Sequence, residues 1–518
     1  MKPDSLPITF FERVWATASR CPDNTIIRDS LGSWTWLDLI WQARAYADAI
    51  ERECGAGGTR VVPILVDRSG ETIAAILGAL MSGRAVAPIS AQQPANRIKK
   101  CIDALEADLL VSLDGDCVLD REPIPGLKTI GAPARRTAKG LPPAPSNPLS
   151  GKLLYVLFTS GSTGVPKGVM VDWGNLENTM LWGVDMLDWE ETDVIGCATN
   201  FFFDISMFDV FTALYFDTGI AIYSHPGDAT RVLEQTGRFG VTSIFSVPAF
   251  FSHLLWSGAL DDPRLSSLRR IISGGDFFPP AHVLRWLKTL PKVEIYNAWG
   301  PTETSIVNTM HRVDSADFPA LELGRHVSVG RAHPRMRFCL IDAEGRIIEE
   351  PGRHGEICML GRCVTRGYLG DAETTKRAYV EIAGQPAFRT QDIGVVDTSG
   401  NLFVTGRLGA MVKIAGYRVD LGEVESAATM IPEIHLAAAF VYEPDEGIRE
   451  LWLAVEPANQ RASLDIFSIK GKLRQLLPRY MVPKRIYAFE RLPRNPNGKI
   501  DRKATSQQAI ARVACEAS

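Results

Sequence analysis

Residues 153–170 read LLYVLFTSGSTGVPKGVM. An apolar run of the kind that forms a buried strand leads into a loop with four hydroxyl side chains, Thr159, Ser160, Ser162 and Thr163. The same loop holds Gly161, Gly164 and a single lysine, Lys167. Glycine lets the backbone approach an anion closely. Amide N–H groups and hydroxyls donate to phosphate oxygens, and an ammonium group adds charge. No GK[ST] follows at the required spacing, so this is not a Walker A loop. The bland alternative is a Gly/Ser turn between two strands, and the length and order of the pattern weigh against it.

Outward from this loop the chain alternates strand and helix. RVVPILV (60–66) suits a buried parallel strand, ETIAAILGALMSGRAVAPI (71–89) reads as helix, glycine stop and strand, and DLLVSL (108–113) is another strand. Such alternation predicts a parallel α/β sheet. Residues 9–51 read as helices around a short strand, with Thr9 and Glu12 spaced for a capping box. The Pro- and Ala-rich stretch 131–150 reads as a surface linker. Over 325–405 the pattern changes to short strands split by Gly, Pro and Asp, which predicts a small β-barrel-like part. Beyond 408 a compact α+β unit with a polar helical tail is expected. The predicted division is thus a large N-terminal domain, 1–407, and a small C-terminal domain, 408–518.

Composition bounds the function. The 518 residues carry 56 basic and 60 acidic side chains, a formal charge of −4 with no long run of one sign, which argues against a nucleic-acid-binding face. No apolar run approaches the roughly twenty residues that span a bilayer, and the start shows no secretory pattern. The nine cysteines are scattered, only Cys358 and Cys363 lie close together, and none sits at zinc spacing. Thiols in a reducing cytoplasm are the expectation.

The 153–170 segment resembles the signature loop of the adenylate-forming superfamily: acyl-CoA synthetases, luciferases and the adenylation domains of nonribosomal peptide synthetases. Further motifs follow in that family's order: NAWGPTET (297–304), GEI (355–357) with RGY (366–368), FRTQDIG (388–394), GR (406–407) through KIAGYRVDLGEVE (413–425), LPRYMVP (477–483) and NPNGKID (495–501). The resemblance covers about residues 9–503. It implies a large domain of parallel α/β sheets with a small β-barrel subdomain, and a small mobile α+β C-terminal domain hinged near Gly409. It also implies two half-reactions. A carboxylate first attacks the α-phosphate of ATP-Mg²⁺, giving an acyl-adenylate and pyrophosphate; a thiol then attacks that anhydride.

Roles implied by the resemblance fall on matching positions. The 159–164 loop with Lys167 holds the β- and γ-phosphates; Thr302 contacts the α-phosphate; Glu303 ligates Mg²⁺. Asn297, Ala298, Trp299 and Gly300 surround adenine, with an indole where the family usually has tyrosine. Asp392 accepts from the ribose hydroxyls, assisted by Arg407. Lys499 bridges the carboxylate and the α-phosphate as the catalytic residue; taken alone it reads as a solvated loop lysine. Departures from the family pattern are Gly409 for an Asp at the hinge, Gln391 for a Gly, Met411 for a Gln and Ala415 for an Arg.

FFFDISMFD (201–209) matches the segment that opens the acyl pocket of amino-acid-activating members. Asp204 falls where those enzymes hold the substrate ammonium; a helix cap is the bland alternative, and Asp209 competes if the register differs. The pocket walls expected from the resemblance are Ile205, Phe208, Ser246, Ile272, Gly274, Ala298, Ile306 and Val307. They carry no second charge, which favours an uncharged side chain, and Gly274 and Ala298 are expected to leave space at the far end. The run also resembles D-alanine–carrier ligases and enzymes that load β-amino acids onto polyketide pathways, so α- and β-amino acids both stay open. After Asp501 only a short polar tail is read, so a carrier domain in the same chain is not expected. The expected acceptor is the phosphopantetheine thiol of a discrete carrier protein, met by the basic residues Arg418, Lys470, Lys472, Arg474, Arg479 and Lys484, for which an ordinary solvated basic face is the equal alternative. An acyl- or aryl-CoA ligase is the rival reading.

Overall fold

The computed structural model describes residues 8–55, 58–113, 123–135, 139–146, 149–159, 166–322, 327–333, 335–408, 411–445, 447–458, 464–494 and 500–516. Among these residues two large sheets carry the N-terminal part. One runs in the order Lys128–Ile130, Leu109–Ser112, Val61–Val66, Ala85–Ser90, Leu153–Thr159 and Lys167–Asp172, parallel except for its last strand. The other has nine strands. Its parallel centre comprises Glu294–Trp299, Arg270–Ser273, Ser243–Ser246, Val194–Cys197, Gly219–Ile222 and Thr25–Arg28. The runs 60–66, 71–89 and 108–113 thus form the predicted strand, helix-plus-strand and strand.

The main core lies between the sheets. Ile64, Val86 and Leu157 of the first meet Ile195, Ile220 and Ile272 of the second through helices Phe10–Arg20, Trp36–Cys54, Gly70–Met81, Trp173–Leu187 and Asp204–Phe216. Helix Gly70–Met81 is apolar all round because it is covered all round; eleven of its twelve residues are buried. Thr9 caps the first helix with Glu12 reciprocating, as their spacing predicts. Within the 131–150 stretch, Trp41 Nε1 donates to the Gly140 carbonyl and Trp15 Nε1 to that of Pro142, which anchors those two residues.

A curled antiparallel sheet follows, in the order Ile347–Ile348, Arg337–Ile341, Gly355–Leu360, Gln385–Val396 and Tyr379–Ile382, with Leu402–Arg407 also paired to Gln385–Val396. It starts later than the 325 boundary read from the sequence, because Arg331–Ala332 joins the nine-stranded sheet. The C-terminal part comprises the hairpin Met411–Ile414/Tyr417–Asp420 and a three-stranded sheet, Ile434–Asp445, Ile448–Pro457 and Arg485–Ala488, with helices Leu421–Thr429, Ile466–Leu476 and Arg502–Glu516. No helix among the described residues is long and apolar enough to cross a membrane.

The contact between helices Trp36–Cys54 and Gly70–Met81 depends on Gly78. A Cβ there would lie 2.4 Å from Tyr46 Cβ and 2.6 Å from the Ala43 carbonyl oxygen. Gly78→Ala should therefore cost about 1–3 kcal/mol of stability in a denaturant titration. Gly174→Ala, at an exposed helical position with open space around it, should be neutral or stabilising by up to about 1 kcal/mol. The reverse ranking contradicts the packing described.

Candidate active site

Strand Leu153–Thr159 ends, and the C-terminal hairpin arrives, at one cavity of about 360 Å³. Thr159, Asp204, Ile205, Ser246, Gly300, Thr302 and Arg407 line it from the N-terminal part, and Lys413, Gly416, Tyr417 and Arg418 from the hairpin. Sequence positions far apart are thus brought together. Ser160, Gly161, Ser162, Thr163, Gly164, Lys499 and Gly409 lie outside the described residues. The flanks of Lys499, Arg494 and Ile500, pair with each other. Lys167 sits opposite Thr159 in the strand register. Its ammonium is 5.6 Å from the Tyr368 ring centre, and burial followed by the charge of Arg418 lowers its pKa.

Glu303 is the electrostatic centre. It is fully buried, and its Oε1 accepts from Tyr368 Oη at 2.7 Å and Arg418 Nη1 at 2.6 Å. Burial raises its pKa; the charge of Arg418 and the Tyr368 hydrogen bond more than offset this and hold it below the ordinary value. Oε2 has no partner among the described residues. An orphaned carboxylate oxygen is a fitting hard-oxygen donor for Mg²⁺. Ser305 and Ile306, just beyond, take left-handed φ values of +62° and +72°. That backbone is strained for a β-branched residue, and Thr179 Oγ1 braces it by donating to the Ser305 carbonyl at 2.7 Å.

On the nucleotide side, Asp392 Oδ1 accepts from Arg407 Nη1 at 2.6 Å and Oδ2 from Trp299 Nε1 at 3.2 Å. The Trp299 indole is 6% exposed and shares an apolar cluster with Val329, Met336 and Leu340, its N–H held by Asp392. Asn297 donates its amide to the carbonyls of Val327 and Ser328. Gln391 has φ +63°, which accounts for a family preference for glycine there.

Asp204 begins helix Asp204–Phe216 but does not cap it; the N-cap is Phe203, and no side chain makes the cap bond. Its Oδ2 instead accepts from Thr302 Oγ1 at 2.7 Å. Burial pushes its pKa up, opposed by the Thr302 bond and by Lys413. Asp209 is in the core away from the cavity, facing Cys197. Ile205, Phe208, Ile272, Ala298, Ile306 and Val307 do gather in one cluster, but of these only Ile205 lines the cavity.

Ser246 lines the cavity, while Phe245, on the other face of the same strand, is the register partner of Ile272. Less space is left at Gly274 than its size suggests: the Phe245 ring would be 3.1 Å from a Cβ there, and it packs edge-on to Phe208 at 5.8 Å. Strand alternation was the signal for this residue.

The hairpin is docked. Gly416, at φ +81°, has Val247 where a Cβ would be, 2.2 Å away. Tyr417 meets Phe203 edge-on and stacks on Tyr480. Arg97 and Glu423 form a buried ion pair between the large part and helix Leu421–Thr429. Arg418, expected on a carrier-facing surface, is instead drawn inward by Glu303. Lys472 and Lys484 are paired with Glu433 and Glu450.

Arg418→Met leaves the Glu303 carboxylate buried without its cation, a loss of about 3–5 kcal/mol, so the denaturation midpoint should fall. Because the Glu303 pKa is depressed below 4.5, its contribution is complete above that value and fades as pH drops through the folded pKa. The wild type should therefore lose stability there and the variant should lack that acid limb. Identical pH profiles contradict the pairing.

The AMP-binding enzyme family model matches residues 14–369, and the AMP-binding enzyme C-terminal domain matches 423–499. The chain is 33% identical to an L-proline–[L-prolyl-carrier protein] ligase of Streptomyces coelicolor, over 91% of this chain and 92% of the relative. It is 28% identical to a D-alanine–D-alanyl carrier protein ligase of Bacillus velezensis, over 92% and 95%. A Delta-poly-L-ornithine synthetase of Acinetobacter baumannii is 29% identical, but this chain spans 36% of its length. The solved structure of PA1221, a nonribosomal peptide synthetase protein containing adenylation and carrier domains, superposes with a TM-score of 0.83 at 27% identity, over 96% of this chain and 84% of that one. With its fold, its ordered motifs and both matched segments in agreement, the chain belongs to the AMP-binding enzyme family of the adenylate-forming superfamily.

Proposed function

We propose that this protein is an ATP-dependent amino acid ligase. It joins the carboxylate of a small, uncharged amino acid to AMP and passes the aminoacyl group to the phosphopantetheine thiol of a carrier protein. The observation that carries the amino acid half is Asp204: a carboxylate at the cavity wall that caps no helix and is one hydrogen bond from Thr302. Burying such a charge costs free energy unless a cation meets it, and a substrate ammonium group supplies one. Phe245 filling the space before Gly274 supports a short side chain. The proline and D-alanine relatives, both carrier protein ligases acting on small uncharged amino acids, agree with this reading.

The substrate carboxylate oxygen attacks the α-phosphorus of ATP, the new O–P bond forms, and the bond to the β-phosphate oxygen breaks to release pyrophosphate. Thr302 places its hydroxyl between Asp204 and the phosphate. The 159–164 loop and Lys167 hold the leaving phosphates, while Asp392 and Arg407 orient the ribose. Lys499 neutralises charge where carboxylate and phosphate meet. Mg²⁺ held by Glu303 adds charge neutralisation when bound. The C-terminal unit, 408–518, turns about a hinge near Gly409 between the half-reactions. The docked hairpin is read as the thiol-transfer arrangement, because the cavity continues between Gly416, Tyr417 and helix Pro248–Trp256, past Ala249, Phe250 and His253. That leaves a path for a long, thin thiol arm, whose sulfur attacks the acyl carbon and expels AMP.

Asp204→Ala should reduce amino-acid-dependent ATP–pyrophosphate exchange by about a hundredfold or more, the scale of losing one buried charge pair. Unchanged exchange contradicts ammonium recognition by this residue. Phe245→Ala should shift the preferred substrate to a larger side chain in the same assay, with α- and β-amino acids both tested. An unaltered preference contradicts the size limit.

A further inference from the structure

Strand Arg337–Ile341 runs antiparallel to Gly355–Leu360, and the register sets Cys339 directly opposite Cys358. Opposed residues in such a pair have Cα atoms about 4.5–5.5 Å apart, within the roughly 4.4–6.8 Å range of disulfides. Both are free thiols. Leu340, Ile357 and Met359 turn into the apolar cluster of this sheet, so strand alternation puts the two cysteines together on its other face. Arg337, two residues from Cys339, and Arg389, the register partner of Cys358, share that face. Cys339 is half-buried and Cys358 fully buried. The Cys358 thiol donates to Cys339 and, with the charge of Arg337, holds the Cys339 pKa below its ordinary value despite burial. The same contact, together with burial, pushes Cys358 up. Neither cysteine lines the cavity, so the proposed ligase chemistry leaves them unused.

We propose that Cys339 and Cys358 form a reversible oxidation site for hydroperoxides, closing to a cross-strand disulfide. Cys339 is the attacking group and Cys358 the resolving one. The Cys339 sulfur attacks one hydroperoxide oxygen: an S–O bond forms, the O–O bond breaks, and the departing oxygen takes the thiol proton and leaves as water or an alcohol. The Cys358 sulfur then attacks the Cys339 sulfenic sulfur. An S–S bond forms, the S–O bond breaks, and the hydroxyl leaves as water with the Cys358 proton. The two thiols together lose two electrons and the hydroperoxide gains them. A dithiol reagent reverses the bond by exchange. Cys363 is the nearby competitor, but it lies in the apolar cluster with its Sγ toward the Leu360 carbonyl, on the face away from Cys339.

The test treats the reduced full-length protein with hydrogen peroxide near stoichiometry, then alkylates, digests and maps it without reduction. The expected result is a peptide pair linked through Cys339 and Cys358, a mass loss of about 2 Da, and full reversal by dithiothreitol. Cys363→Ser should leave the linkage intact. Cys339→Ser should abolish it, and if that variant folds poorly, time-resolved alkylation of the wild type should still show these two thiols disappearing first. A Cys358–Cys363 linkage, or both thiols still alkylated after others have oxidised, overturns the proposal.

Discussion

A fully buried carboxylate governs how the parts of this protein meet. Glu303 sits at the end of the nine-stranded sheet, yet it takes a hydroxyl from Tyr368, beyond the curled sheet's strand Gly355–Leu360, and a guanidinium from Arg418, in the C-terminal hairpin. Its backbone carbonyl also accepts the Thr365 N–H. A charge withdrawn from water is tolerated only with close partners, so this one group fixes the positions of three segments at once. The left-handed backbone at Ser305 and Ile306 is the local strain that accompanies it. Once Arg418 is committed there, Gly416 must lie against Val247, where a side chain has no room.

The cavity inherits its character from this arrangement. Its polar groups converge from separate strand and helix ends: Asp204 from a helix N-terminus, Thr302 beside Glu303, Arg407 and Lys413 on either side of the junction to the C-terminal part. A helix N-terminus favours the ionised form of Asp204 while burial opposes it. The group is therefore poised to gain from an incoming cation. Behind it, the Phe245 ring lies against Gly274 within the apolar cluster.

Much of this was legible in the sequence because it rests on local signals. A six-residue apolar run such as Val61–Val66 has few alternatives to a buried strand, and Thr9 with Glu12 specify a helix start within four residues. What was not legible depends on sidedness and distance. A one-residue slip moves a strand side chain to the other face, and that Ser246 lines the cavity while Phe245 meets Ile272 is decided only by the neighbouring strand. Trp299 presents an aromatic ring in any reading, and only Asp392, 93 residues away, shows that its N–H is held from the side of the curled sheet. Arg418 reads as a solvated basic residue until its partner, 115 residues distant, draws it inside.

The central claim is that one cavity binds a carboxylate for adenylation and an ammonium for recognition. ATP–pyrophosphate exchange by the wild-type protein measures it most directly when each small amino acid is compared with the same acid lacking its amino group. The account predicts exchange with at least one small amino acid and an exchange lower by about a hundredfold or more with its des-amino counterpart. Equal or faster exchange with the des-amino acids, or exchange confined to fatty or aryl acids, would contradict it.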